Sequence, residues 1–219
     1  LNFISFNFIV KDVVLIMLLI TIVVSFIHCY KLSYETNAIL KQSTPVLLLC
    51  SFLGGAAGGI LNSAVETLLT NPSLLTLVPL FSGESGSLIS ILGARLSSGL
   101  HSGLIEPLRK PEGESIHNFI ISLILAVIIF PVIGLLAEAS SYALGVVGVG
   151  FDKLVEISTS SGVILVSIII LIVYYVSVTS YNNNLDPDNI VIPISTSITD
   201  SISSLILISM SLLFLGVLV

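Results

Sequence analysis

The sequence predicts an all-α protein, a polytopic bundle of transmembrane helices, and two observations carry that expectation: a scarcity of charge and a succession of long apolar runs. Of 219 residues, 55% are hydrophobic and only 9% charged, and the mean hydropathy is +1.13. A soluble domain clothes itself with about 25% charged residues. Too few are present here to cover a sphere in water, so lipid must be the solvent. A helix crosses the hydrocarbon with about 20 mainly apolar residues, and several runs reach that length.

Taken in order, residues 13–27 are uncharged and extend with their flanks to 8–28. Residues 46–65 and 116–137 contain no Asp, Glu, Lys or Arg. The stretch 157–185 is built around the apolar 163–175, and 189–219 is interrupted only by Asp200. Between them, 67–105 is apolar but broken by Asn71–Pro72 and by a Ser/Gly-rich stretch at 82–87. Proline and glycine are the strongest local punctuation. The spacing predicts six membrane segments, at about 8–28, 46–70, 74–104, 116–149, 160–180 and 189–217.

Charge narrows the partners. A net charge of −6 and a pI near 4.8 argue against nucleic acid, which selects basic surfaces. Glu106, Glu112, Glu114, Asp152, Glu156, Asp186 and Asp188 fall between segments, where solubility at the rims explains them. Short positive loops mark the cytoplasmic side. Lys31, Lys41, Arg109 and Lys110 share one face, joined by the 182–188 loop; Lys11 and Lys153 lie opposite, with the carboxyl end extracytoplasmic. The expected location is the cell membrane. Cys29 and Cys50 are too few for a disulfide framework or a zinc site. The chain opens at Leu1 without Met or an evident cleavable signal, which leaves room for a preceding segment.

Charged groups at membrane depth are costly, and they line a pathway or pair with each other. Glu66, Glu84, Arg95, Glu138 and Asp200 qualify. Glu138 reads as a wetted helix end, Arg95 as a partner for an acid, and Glu84 as part of an unwound, watery stretch. Asp200 is different: eleven residues before it and nineteen after it carry no other charge. Thr196, Ser203 and Ser204 share its helical face, with Pro193 one turn further back. A Ser/Thr stripe alone packs helices together; a carboxylate within it favours a cation site. Glu66 follows Gly54–Gly59, two turns on, where it reaches water or a pore mouth. The glycines themselves read as a packing face.

Gly83–Glu84–Ser85–Gly86 fits the GxSG pattern of rhomboid intramembrane proteases, but a serine nucleophile needs a histidine within reach. His101 follows Ser85 by 16 residues, about 24 Å along a helix. No Walker loop, HExxH or GxGxxG pattern offers another enzyme, so none is expected. A non-transporting membrane scaffold or receptor is the competing class.

Two segments resemble a known family. Val78–Pro79–Leu80–Phe81–Ser82–Gly83–Glu84–Ser85–Gly86–Ser87, followed by Ala94–Arg95–Leu96–Ser97–Ser98, resembles the second-helix signature of the MgtE family and of animal solute carrier family 41. Asp186–Pro187–Asp188–Asn189–Ile190–Val191–Ile192–Pro193, with Thr196 and Asp200, resembles its last-helix signature. Ala64–Val65–Glu66–Thr67–Leu68 is similar to the end of the first family helix. The resemblance covers Pro45 to Val219, with Ser87 standing where the family usually carries Asn. It implies a five-helix MgtE-like core within 31–219, plus an extra N-terminal transmembrane helix at 1–30. It also implies magnesium or other divalent cation transport, as a channel or an ion-coupled transporter, by a homodimer with the pathway at the subunit interface. Mg²⁺ is then the transported ion, with Asp200, Thr196, Asn189, Glu66 and Ser87 as candidate metal-binding residues. The family's large cytoplasmic regulatory domains have no counterpart in the sequence; the acidic 182–189 loop, with Asp186 and Asp188, is the expected place for gating.

Overall fold

The computed structural model describes residues 2–30, 34–185 and 187–216. Lys31, Asp186 and position 217 of the last expected segment lie outside the described residues, as do the side chains of His28, Cys29 and Asp188. Among the described residues the protein is all helix: α1 Asn2–Tyr30, α2 Tyr34–Ser63, α3 Val65–Thr70, α4 Ser73–His101, α5 Glu114–Ala143, α6 Phe151–Asn182 and α7 Pro187–Leu215. Five helical stretches are long and apolar enough to cross a membrane: Ile39–Ser63 of α2, α4, α5, α6 and Asn189–Leu215 of α7. The protein is therefore a multi-pass membrane bundle.

Two compact units are present, Leu1–Thr44 and Pro45–Val219. The first holds α1, whose side chains from Val10 to Ser25 are exposed. That suits a helix solvated by lipid. The second unit holds everything else, including α2 from Pro45 onward.

Within the second unit, α4, α5, α6 and α7 pack on one another. The core joins Phe81, Ile89 and Leu96 of α4 to Phe130 of α5 and to Leu165 and Val173 of α6. Lipid tails are as apolar as these side chains, so close backbone approach and hydrogen bonds hold such helices together. Gly134 illustrates this: a Cβ there would meet the Leu154 carbonyl oxygen and the Val155 Cα at 2.8 Å. Nearby, the Ser158 hydroxyl donates across to the Phe130 carbonyl at 2.7 Å. α4 and α7 run antiparallel, with Gly93 against Val191 and Ser82 against Asp200.

The 82–87 stretch does not break α4, contrary to the expectation from its composition. The serines close their polarity on their own helix. Ser85 donates to the Phe81 carbonyl at 2.6 Å, Ser87 to Gly83 at 2.9 Å and Ser90 to Gly86 at 2.8 Å. Such bonds to the preceding turn leave the ladder intact, which hydrocarbon demands of any exposed backbone. Glu84 accordingly projects from a continuous helix. The expected break at Asn71–Pro72 is present, with Pro72 at the N-cap position of α4. The 46–70 segment divides at Ala64 into α2 and the six-residue α3. The 116–149 segment ends at Ala143, and Gly145 and Gly150 take positive φ in the connection that follows.

Glu138 is not a wetted helix end: it is only 7% exposed. The connection after α5 folds back over it, so that the Gly150 N–H donates to its Oε1 at 3.1 Å. The missing side chain of Gly148 leaves the room its carboxylate occupies. Val149 N–H donates to Ser73 Oγ at 3.1 Å, pinning the same connection to the start of α4.

Candidate cation site on the fourth and seventh helices

Asp200 lies near the middle of α7, partly buried, and accepts a 2.8 Å hydrogen bond from Ser82 Oγ of α4. Ser82 is its only side-chain partner among the described residues. One turn earlier, the Thr196 hydroxyl donates to the carbonyls of Ile192 at 2.9 Å and Pro193 at 3.1 Å. One turn later, Ser203 and Ser204 donate to the backbone carbonyl of Asp200 at 3.0 and 2.8 Å. The polar stripe expected around Asp200 is present, but its hydroxyl protons are spent on the backbone. The carboxylate itself is oriented from the neighbouring helix.

The other flank is α2. Cys50 Sγ donates to the Pro193 carbonyl at 3.2 Å, and Ser201 Oγ donates to the Leu53 carbonyl at 2.9 Å. These bonds bring the start of the glycine stretch beside Asp200. No atom lies within 4 Å of where a Cβ would stand on Gly54, Gly55, Gly58 or Gly59, and the same holds for Gly83 and Gly86 of α4. The faces on either side of the Asp200 turn are open and free of bulk.

Among the described residues, Asp200 has no counter-charge. Arg95 stands 13 residues beyond Ser82 on α4, about 20 Å along the axis, and among the described residues the only ion pair joins His117 and Glu114 at 3.6 Å. A carboxylate at membrane depth without a basic partner is balanced by a cation or a proton. No group of three or more His, Cys, Asp or Glu side chains gathers among the described residues, so one chain does not build a closed metal cage. Mg²⁺ keeps several of its waters and is bound through one or two carboxylates. One carboxylate per chain, bordered by hydroxyl groups, matches that demand.

The remaining candidates fall at different places. Thr196 shares the face of Asp200. Asn189 lies in the first turn of α7 and is engaged in an interaction of its own. Ser87 is exposed, five residues past Ser82 and about 140° round the helix. Glu66 is exposed on α3. Its neighbours Thr67 and Leu68 meet α7 at Leu207, Ile208 and Ser211, about 10–16 Å along the axis from Asp200. Ser85 is buried and donates to Phe81, while the His101 ring stacks on Tyr181 at 5.7 Å, so the two residues of the protease pattern do not meet.

Ser82 was not singled out from the sequence. It sits inside the quoted motif, but its partner lies 118 residues away, and nothing local distinguishes it from Ser85 or Ser87.

Comparison with curated proteins gives no match. Comparison with protein families matches residues 78–210 to MgtE, described as a divalent cation transporter. That stretch begins in α4 and ends in α7, so it contains both halves of the Ser82–Asp200 contact. With more than half its length matched, the chain belongs to the MgtE family of divalent cation transporters.

Proposed function

We propose that this protein carries Mg²⁺ across the cell membrane along a path built between two copies of the chain, with Asp200 of each copy facing the ion. One observation supports this above the others: a carboxylate at membrane depth, oriented by Ser82 and, among the described residues, without a counter-charge, beside glycine faces that no described side chain fills. Two such carboxylates around one axis neutralise a 2+ ion. Thr196 and the carbonyls near Pro193 accept hydrogen bonds from its water shell. Without the cation the two carboxylates repel. Asn189 and Ser87 contribute oxygens toward the ends of the path, and Glu66 an acidic mouth. The helix at 1–30 is an addition to a core within 31–219.

Flux of Mg²⁺ into proteoliposomes, with and without a sodium gradient, tests the reading. Uptake indifferent to sodium identifies a channel; uptake that needs the gradient identifies coupled exchange. Absence of divalent flux under both conditions, from protein that is folded and inserted, would leave the scaffold reading.

A further inference from the structure

A second polar feature lies at one end of α4 and α5, away from Asp200. A cavity of about 430 Å³ opens there between the last two turns of α4 and the start of α5. Its lining includes Arg95, Ser98 and Ser102 from α4, Glu114 and Asn118 from α5, and Leu104 from the connection. That volume falls within the usual range for small-molecule sites, about 300–1,000 Å³.

Three details specify what would fit. Asn118 is only 4% exposed, and its Nδ2 donates to the Glu114 carbonyl at 3.0 Å. A carbonyl can only accept, so the amide orientation is determined and Oδ1 is the other atom. That oxygen is buried and has no partner, although an unmet buried acceptor costs about 1–3 kcal/mol. Secondly, Arg95 and Glu114 line the same cavity without forming an ion pair; the carboxylate of Glu114 meets only His117, at 3.6 Å. Thirdly, α4 ends at His101 and α5 begins at Glu114, which sets the cavity at the level where bilayer headgroups lie. Leu104, beside it, is 73% exposed.

We infer that this cavity binds a zwitterion made of a primary ammonium and a phosphate, supplied by the headgroup of a phosphatidylethanolamine lipid. The phosphate takes the Arg95 guanidinium, with Ser98 as a further donor. The ammonium donates to Asn118 Oδ1 and to the Glu114 carboxylate, and the lipid tails leave along the apolar side at Leu104. A free metal cation would leave Arg95 repelled, and an inorganic anion would leave Glu114 repelled. A choline headgroup has the right charges but no N–H, so Asn118 Oδ1 would stay unmet. The inference goes beyond ion transport and does not rest on it.

The test uses the full chain, extracted from bilayers of equal phosphatidylethanolamine and phosphatidylcholine with matched acyl chains. Native mass spectrometry then counts the lipids retained. Phosphatidylethanolamine should be held about tenfold over phosphatidylcholine, the scale of one charge-assisted hydrogen bond. The preference should fall stepwise as the amine is methylated. Arg95→Gln, on an exposed side chain, should lower retention of both lipids. Asn118→Leu should bring their ratio toward one. Equal retention in the unaltered chain, meaning a lipid annulus only, would overturn the proposal. So would an unchanged ratio in Asn118→Leu, or an Arg95→Gln chain that holds both lipids as before. Displacement of the lipid by millimolar O-phosphoethanolamine would assign the cavity to a soluble ligand and overturn the lipid source.

Discussion

In the proposed ion path, Asp200 depends on what surrounds it as much as on its own charge. At an effective dielectric near 20, a 2+ ion about 5 Å from one carboxylate is attracted by roughly 7 kcal/mol before desolvation. If solvation cancels most of that, a residual of about 1.4 kcal/mol per carboxylate still changes occupancy tenfold. Asp200→Asn keeps the shape and still accepts from Ser82, while it removes an unpaired charge from membrane depth. The variant should therefore express and assemble normally and lose Mg²⁺ flux by about tenfold or more, measured in proteoliposomes at equal protein. Near-normal flux would take Asp200 out of the ion path. Glu66→Gln should show a milder defect, because Glu66 is exposed and lies two to three turns away from the Asp200 level. Ser82→Ala asks a separate question, since it leaves the charge and removes its anchor. A hydrogen bond to a charged group contributes about 1.5–3 kcal/mol. Ser82→Ala should raise the half-saturating Mg²⁺ concentration by about tenfold or more with little loss of protein. An unchanged half-saturation would show that the 2.8 Å contact has no part in positioning the carboxylate.

Small residues on the helices divide into two kinds, and only one was legible in the sequence. Gly54–Gly59 announce themselves by crowding, yet among the described residues nothing packs on Gly54, Gly55, Gly58 or Gly59. Gly134 stands singly in an apolar run and Gly162 at the end of a Ser/Thr run, and they are where α5 and α6 touch. Composition marks a bulk-free face, but it cannot say which helix covers it. The same holds for the site. Asp200 was legible because its surroundings are so apolar, and Thr196 followed from helical spacing. Ser82 and Asn118 were not, because their roles depend on partners brought in by packing. The order of the five spans from α2 to α7 was legible from apolar length; the 82–87 break was misread because hydroxyls that close on their own helix look like loop formers in one dimension. Gly134→Ala tests the packing assignment. Its Cβ would lie 2.8 Å from backbone atoms of α6, which cannot move aside as a side chain can. Overpacking of this kind costs about 1–3 kcal/mol, so the melting temperature in detergent should fall. Gly83→Ala, with open space at its Cβ, should melt like the parent chain. Equal melting of the two variants would mean that α5 and α6 have slack at this contact.

At the scale of the whole molecule, the described residues offer one aspartate inside an apolar span with no counter-charge, and two bulk-free faces, on α2 and α4, that no described side chain fills. On the proposed reading, a second copy related by a two-fold axis would supply what is missing, since a two-fold interface sets the same patch against itself. Gly54 and Gly58, like Gly55 and Gly59, are four residues apart and share a helix face. Paired small residues at that spacing let transmembrane helices approach closely. Leucine at Gly55 and Gly58 fills that face without meeting any atom of the same chain, and leucine favours helix over glycine by up to about 1 kcal/mol. Gly55→Leu/Gly58→Leu should therefore keep full helicity by circular dichroism and insert normally. It should also lose the dimer trapped by crosslinking in native membranes, and lose Mg²⁺ flux with it. Asp200→Asn should show the opposite pattern, with the dimer intact and flux lost. That pairing of outcomes separates assembly from ion binding. A double-leucine chain that runs as a strict monomer and still conducts would overturn the shared pathway. One that stays dimeric would move the interface away from α2, toward the open face of α4.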